Sequence, residues 1–442
     1  MSQTIQALSD WLWGPPMLVL VLGTGLYLLV RLRAVQFTEF GSAVRSVVHR
    51  PEAADEGDIS PFAALMTAVG GIVGNGNLAG VATALTAGGP GALFWMWVSG
   101  LIGMGTMYAE CVLGVRYRHR DAKGLFVGGP MYYLRDRLGW HKIAAFFALG
   151  LAAKTLLATT TIQSNSIASV AERELGWAPI VSTAGLALVT ATVVIGGVKS
   201  IARVSEVLAP LMGLIYLSGA VVVLYLFRHQ IGTAIALTVE HAVSPVAASG
   251  GFLGAGVREA FRFGVARGVY SNEAGTGSVP IAHASARTAD PIRQGRIAML
   301  GVFLDTMVVS TATGLVLLVS GQWTSGLDST ALTAAAFSAG LGRGGGTIVL
   351  VSSMLFGLST LVTWAFYGEQ SAAFLFGSRA RLPYRLVYCI AIVGGASAGA
   401  RAVWAWGDLL NGIMAIPNLL ALVVLGGEIA RFAAKRRQRD SG

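Results

Sequence analysis

Long apolar stretches separated by short basic ones set the pattern of this chain. Runs of roughly 20 residues, almost free of charge, recur from residue 12 to residue 430. An α-helix rises about 1.5 Å per residue, so such a run crosses a hydrocarbon core of about 30 Å. The pattern predicts eleven helical spans, numbered here in chain order. They lie at 12–31, 60–86, 91–115, 143–171, 178–196, 204–227, 252–286, 297–320, 346–377, 384–399 and 403–430. The runs are continuous, without the alternation of a membrane barrel, so strands are not expected. From Arg431 onward, Lys435, Arg436, Arg437 and Arg439 mark a soluble basic tail.

Composition agrees with the pattern. The 442 residues are 54% hydrophobic and 12% charged, about half the charge of a soluble domain. The 58 glycines suit helices that pack closely in lipid. The first fifteen residues hold no Lys or Arg, so the first span reads as a retained helix and not a cleaved signal. No soluble domain or catalytic insert is visible. Cys111 and Cys389 fall inside apolar runs and imply no disulfide framework.

Charge then gives an orientation. Of 32 Lys and Arg residues, 24 fall in 31–58, 116–142, 197–206, 287–296, 378–385 and 431–442. Basic loops stay inside, so the N-terminus is expected outside and the C-terminus inside. That demands an odd number of spans. The stretch 228–268, with Arg258, Glu259, Arg262 and Arg267, reads as an outer loop leading into a polar half-helix. The net charge of +10 is spread between spans and forms no clustered patch, which argues against nucleic-acid binding.

Two spans are interrupted by small polar residues. Gly74-Asn75-Gly76-Asn77 breaks span 2, and Gly275-Thr276-Gly277-Ser278 breaks span 7. Gly74, Gly76 and Pro90 match Gly275, Gly277 and Pro291 at one offset of 201 residues. On the expected topology the two copies run in opposite directions, as in an inverted repeat. A glycine pair lets the backbone leave helical geometry. The freed N–H and C=O groups must then face protein or a polar cavity. Half-helix N-termini attract carboxylates, and freed carbonyls coordinate small cations.

At these residues the chain resembles the alanine or glycine:cation symporter family. The matching stretches include Gly88-Gly89-Pro90-Gly91-Ala92-Leu93-Phe94-Trp95, Gly128-Gly129-Pro130-Met131-Tyr132-Tyr133, Arg267 to Gly275 with Ser271-Asn272-Glu273-Ala274-Gly275, and Met414-Ala415-Ile416-Pro417-Asn418-Leu419. The resemblance implies a leucine-transporter-type fold. Span 1 is then an extra helix, and 60–227 and 252–430 form a five-plus-five inverted repeat with two discontinuous helices. It also implies sodium-driven carriage of small neutral amino acids such as alanine and glycine.

Residue roles follow from the same resemblance. The backbone of Gly74, Asn75 and Gly76 should receive the substrate carboxylate. Gln163, Tyr270, Asn272, Thr276 and Trp364 should contact the substrate. Gly70 and Val73 carbonyls, with Ser359, Thr360 and Thr363, look like a sodium site. Asn77 and Ser271 resemble ligands of a second cation, with Asp305 nearby. The family usually has Thr at Asn75, a bulky apolar residue at Thr276 and a small one at Thr363.

Other charges within spans need partners, because a charge at the bilayer centre costs about 2.5–3.5 kcal/mol. Glu273, inside the second break, is the first candidate, either bracing the backbone or titrating. Glu110 and Glu369 are expected as helix charges at the inside ends. His283 is expected as a packed, hydrogen-bonded histidine, and Lys154 needs an acid the sequence does not name. Trp95, Trp97, Trp404 and Trp406 suit interface anchors.

The whole predicts a single all-α integral membrane transporter of a bacterial-type plasma membrane. Its partners are a small neutral amino acid, sodium as coupling ion and the lipid bilayer. No cofactor, nucleic acid or obligate protein partner is expected. Proton coupling through Glu273 or His283 is the alternative. A channel would need a ring of pore charges. An enzyme would need a nucleophile–base pair or a metal cluster. The sequence offers neither.

Overall fold

In the computed structural model, residues 2–48, 55–243, 256–395 and 400–441 are described. Nearly all of them are helical. The expectation of no strands meets one small exception, a pair of two-residue strands at His119–Arg120 and Phe126–Val127.

Six described helices are long and apolar enough to cross a membrane, and the bent pair Pro61–Ile72 and Gly76–Gly88 makes a seventh. The six are Gly91–Arg116, His141–Leu175, Gly197–Leu226, Pro291–Val319, Arg343–Phe376 and Trp406–Gln438. Pro15–Arg31 and Pro179–Val194 are shorter apolar helices at spans 1 and 5. Span 10 holds the helix Arg381–Gly394; its end at 396–399 lies outside the described residues, as does the start of span 7 at 252–255.

Two expectations are corrected, and one helix is additional to them. The outer loop after span 6 contains a helix, Ile231–Val243. Its backbone at His241 packs so closely on Gly91 that no Cβ fits there. A second helix, Ser329–Leu341, fills the connection between spans 8 and 9. Both were hidden by the short length of their apolar runs. The basic tail is not separate either: the last helix runs unbroken from Ala400 to Ser441, and Arg437 donates to Glu39 Oε1 at 2.6 Å.

The centre of the fold is Gly91–Arg116, which packs along Val257–Asn272 and Pro291–Val302. Small residues make the approach possible. A Cβ on Gly264 would lie 2.6 Å from Trp95 Cβ and against the Ala92 carbonyl. At the periphery, Gly197–Leu226 turns Val207, Leu214, Val221 and Tyr225 outward. Such an exposed apolar face belongs in lipid.

The two interrupted spans lie antiparallel and touch at both ends. Gly88, closing span 2, meets the Glu259 carbonyl and Phe263 Cβ at the start of span 7, each 3.1 Å from a Cβ placed there. At the other end Ile59 and Ala286 form a parallel bridge. There Asp58 N donates to Ser285 O at 2.9 Å, and Arg287 N to Ile59 O at 2.7 Å. Arg118 clamps this junction by donating to the carbonyls of Ala284, Ala286, Glu56 and Thr288 at 2.6–3.0 Å.

Candidate functional site

Span 2 begins cleanly. Ser60 caps Pro61–Ile72 by accepting from Ala63 N, and Pro61 takes the first turn, where no N–H is needed. Val73 then leaves the helix at φ −74°, ψ 104°, and the second half resumes as a wide turn at Gly76–Gly80. The halves are bent by 48°. Gly74 serves close approach here and not left-handed backbone: a Cβ on it would sit 2.5 Å from Thr360 Oγ1.

The second break is different in kind. Val257–Asn272 ends at Glu273, a left-handed residue at φ +58°. Gly275 and Gly277 follow at φ +89° and +82°, a region that L side chains seldom adopt. A short helix, Pro280–Ala284, finishes the span.

Between the two breaks lies a narrow cavity. Gly71, Ile72, Gly74 and Gly76 line it from span 2, and Tyr270, Ser271 and Glu273 from span 7. Lys154, Thr159 and Gln163 of span 4 and Thr360 and Trp364 of span 9 complete the wall. Of the residues the resemblance singled out for substrate, the structure therefore brings Gly74, Gly76, Gln163, Tyr270 and Trp364 to one place.

Asn75, Asn272 and Thr276 do not line it. The Asn75 side chain is engaged by neighbouring helices. Its Nδ2 donates to Gln163 Oε1 at 2.9 Å and to Ser353 O at 3.3 Å, and its Oδ1 accepts from Ser353 Oγ at 2.7 Å. Asn272 accepts from Ala274 N at 3.0 Å and donates to Thr306 Oγ1 at 3.1 Å, so it shapes the end of its helix. Thr276 donates to Glu273 O at 2.8 Å and reaches Glu273 Oε2 at 2.9 Å. These side chains satisfy polar groups that the unwound backbone and Glu273 would otherwise leave buried and unpaired.

Beside the first break, Ser359 Oγ and Thr360 Oγ1 are buried with no hydrogen-bond partner among the described residues. Ser359 Oγ presses against Gly70. Thr363 differs, since its hydroxyl donates to Thr67 O at 3.0 Å, and Trp364 Nε1 donates to Gly71 O at 3.1 Å. Two orphan hydroxyls thus lie against the end of the helix Pro61–Ile72, near Gly70 and Gly74. Hard cations such as sodium take oxygen ligands of this kind.

A second oxygen cluster surrounds Asp305, which is fully buried. Its Oδ1 accepts from Asn77 Nδ2 at 2.7 Å, and Ser271 Oγ bridges both oxygens at 3.0 and 2.9 Å. Thr306 Oγ1 donates to Oδ2 at 2.9 Å, and Ser310 Oγ accepts from Asn77 Nδ2 at 3.0 Å. Asn77 Oδ1 meanwhile caps the freed Gly74 N–H at 2.9 Å. A carboxylate held only by neutral donors attracts a cation. Ser310 was not anticipated from the sequence, because nothing sets it apart from other serines in apolar helices.

The remaining buried charges find partners. Lys154 pairs with Glu273, 3.2 Å away. Arg267 forks onto Asp408 with bonds of 2.8 and 2.7 Å, beside Tyr270. Glu369 pairs with Arg385. Glu110, expected as a helix charge at the inside end, is fully buried and has a neutral partner, accepting from Asn418 Nδ2 at 2.8 Å. His283 Nδ1 lies 2.6 Å from Gln294 Nε2, a packed histidine as expected. Trp95 and Trp97 anchor inward, on the Ala242 carbonyl and Thr311 Oγ1.

Known proteins place this architecture. Residues 1–441 match the sodium:alanine symporter family. The chain is 42% identical to an uncharacterized transporter of Haemophilus influenzae, over 95% of this chain and 93% of that one. It is 41% identical to the sodium/alanine symporter AgcS of Methanococcus maripaludis, over 96% and 95%. Its fold is similar to that of MhsT, crystallised in complex with L-phenylalanine, with a TM-score of 0.61 at 12% identity over 86% of this chain and 98% of that one. With a helical bundle, two antiparallel interrupted spans and a cavity between their breaks, the chain belongs to the sodium:alanine symporter family of membrane transporters and has a leucine-transporter-type fold.

Proposed function

We propose that this protein is a sodium-coupled symporter that imports small neutral amino acids, alanine and glycine first, by alternating access. The observation that carries the reading is the pair of orphan hydroxyls, Ser359 and Thr360, set against the break of span 2. The cavity between the breaks lies directly beside them, with Thr360 in its wall. Sodium binds there first, on those hydroxyls, Thr363 and the carbonyls of Gly70 and Val73, and fixes the unwound backbone. The substrate carboxylate then docks at the first break, on the Gly76 backbone and on the Gly74 N–H once Asn77 Oδ1 releases it. Its small side chain packs near Trp364.

Asn77, Ser271 and Asp305, joined by Ser310, form a second cation site in this reading. The architecture is eleven spans, an extra first helix followed by halves at 60–227 and 252–430, with the N-terminus outside and the C-terminus in the cytoplasm. The antiparallel contact of spans 2 and 7 supports the inverted repeat. Energy comes from the sodium gradient and the membrane potential, where one charge moved across 100 mV is worth about 2.3 kcal/mol.

The test is uptake of labelled alanine into proteoliposomes with and without an inward sodium gradient. Accumulation only with sodium is expected. Equal accumulation in sodium-free buffer at acid pH would replace sodium with protons and sink the coupling.

A further inference from the structure

Lys154 and Glu273 face each other across the cavity wall, and their contact is uneven. Glu273 Oε2 is held by Thr276 at 2.9 Å and Ser278 at 3.2 Å, both from its own break. Among the described residues its Oε1 meets the lysine alone, at 3.3 Å. Both lysine–carboxylate distances, 3.2 and 3.3 Å, exceed the ~2.7–2.9 Å of a tight charge-assisted bond. Lys154 makes its short bond elsewhere, to Asn411 Oδ1 at 2.7 Å. The carboxylate thus has holders besides the lysine, and the lysine's shortest bond goes to Asn411.

The ammonium also sits where a ligand ammonium would be comfortable. Nζ lies 4.0 Å from the centre of the Trp364 ring and 5.9 Å from that of Tyr270. An aromatic face beside a carboxylate is a good cation receptor once water is excluded.

We propose that Glu273 is the receptor for the substrate's ammonium, and that Lys154 is a tethered ammonium that keeps this receptor neutralised between substrates. This rests on the transport reading above and adds the element that selects for an α-amino group. On binding, the substrate's ammonium takes Oε1 and the Trp364 face. Lys154 keeps Asn411 and turns toward the substrate carboxylate at Gly74 and Gly76. Two opposite charges meet two opposite charges, so the zwitterion adds no net charge to the Lys154–Glu273 pair. The ligand class is a zwitterion with both charges on one carbon. A lone amine fails to displace the lysine, and a lone carboxylate gains nothing from Glu273.

The experiment is equilibrium binding of labelled alanine to purified full-length protein in sodium, with ethylamine and lactate as competitors. Glu273→Gln is expected to weaken alanine roughly 10- to 100-fold, the loss of one charged hydrogen bond, while lactate competes at least as well as before. Lys154→Met removes the internal competitor, so ethylamine should compete about tenfold better than in wild type. Either single variant strands a buried charge and can fail to fold. The double variant Lys154→Gln/Glu273→Gln strands none and keeps hydrogen-bonding capacity. It is expected to stay monodisperse and to lose the preference for alanine over lactate. A stable double variant that binds alanine as wild type does overturns Glu273 as the receptor and leaves the transport reading standing. Wild-type protein that binds no alanine in sodium overturns both.

Discussion

Asn77→Ala is the sharpest single test of the Asp305 cluster. The side chain ties three groups together: it donates to Asp305 Oδ1 at 2.7 Å and to Ser310 Oγ at 3.0 Å, and it caps Gly74 N at 2.9 Å. A hydrogen bond to a charged group contributes about 1.5–3 kcal/mol and a neutral one about 1 kcal/mol. The Gly74 N–H, left without a partner in a buried site, adds about 1–3 kcal/mol. The folded protein should therefore lose about 3.5–7 kcal/mol, less whatever water entering from the cavity restores. Only part of this concerns sodium. If Asn77 Oδ1 is one cation ligand, its loss resembles that of one charged hydrogen bond and raises half-saturating sodium about 10- to 100-fold. Alanine uptake into proteoliposomes is measured against external sodium, with the amount of inserted protein matched, and thermal stability is followed by size exclusion after heating. A lower melting temperature with unchanged half-saturating sodium would refute the second cation site and leave Asn77 a brace of the break.

Other perturbations follow from the same geometry. Arg118→Ala removes the four carbonyl contacts at the junction of spans 2 and 7; a cysteine placed at Ser285 should then react faster with a thiol reagent added from the inside. Arg267→Lys replaces a two-pronged bond to Asp408 with a single point of contact, and uptake should fall by about tenfold or more while expression holds. Gly264→Ala overpacks the contact with Ala92 and Trp95, which should destabilise by about 1–3 kcal/mol and lower the melting temperature without changing sodium dependence. Ser359→Ala removes an orphan hydroxyl; stability without sodium should hold or rise, whereas the stabilisation gained on adding sodium should shrink.

The sequence pattern made much of this legible, and its misses share a cause. Long apolar runs and the two glycine breaks are local signals, so spans such as Gly91–Arg116 and the interruption at Gly74 stood out. The helices Ile231–Val243 and Ser329–Leu341 went unread because they are short and flanked by polar residues. Partner choice was not legible, because it depends on which helices pack together. Lys154 and Glu273 are 119 residues apart, and nothing near either one names the other. Asn75, Asn272 and Thr276 show the same limit from the other side. A polar residue in a break can face the cavity or satisfy the backbone behind it, and only the fold decides which.

The junction at Ile59 and Ala286 also bears on how the chain is made. Its partners lie more than two hundred residues apart, and the side chains that finish the first break, from Asp305, Ser310 and Ser353, belong to the later half. A nascent chain that has inserted only as far as Val243 therefore holds an unwound segment with several of its final partners missing. Until span 9 arrives, that segment must stay hydrated or be shielded by the insertion machinery. The first break, Gly74-Asn75-Gly76-Asn77, suits such a wait: it holds glycines and small polar side chains and no charge.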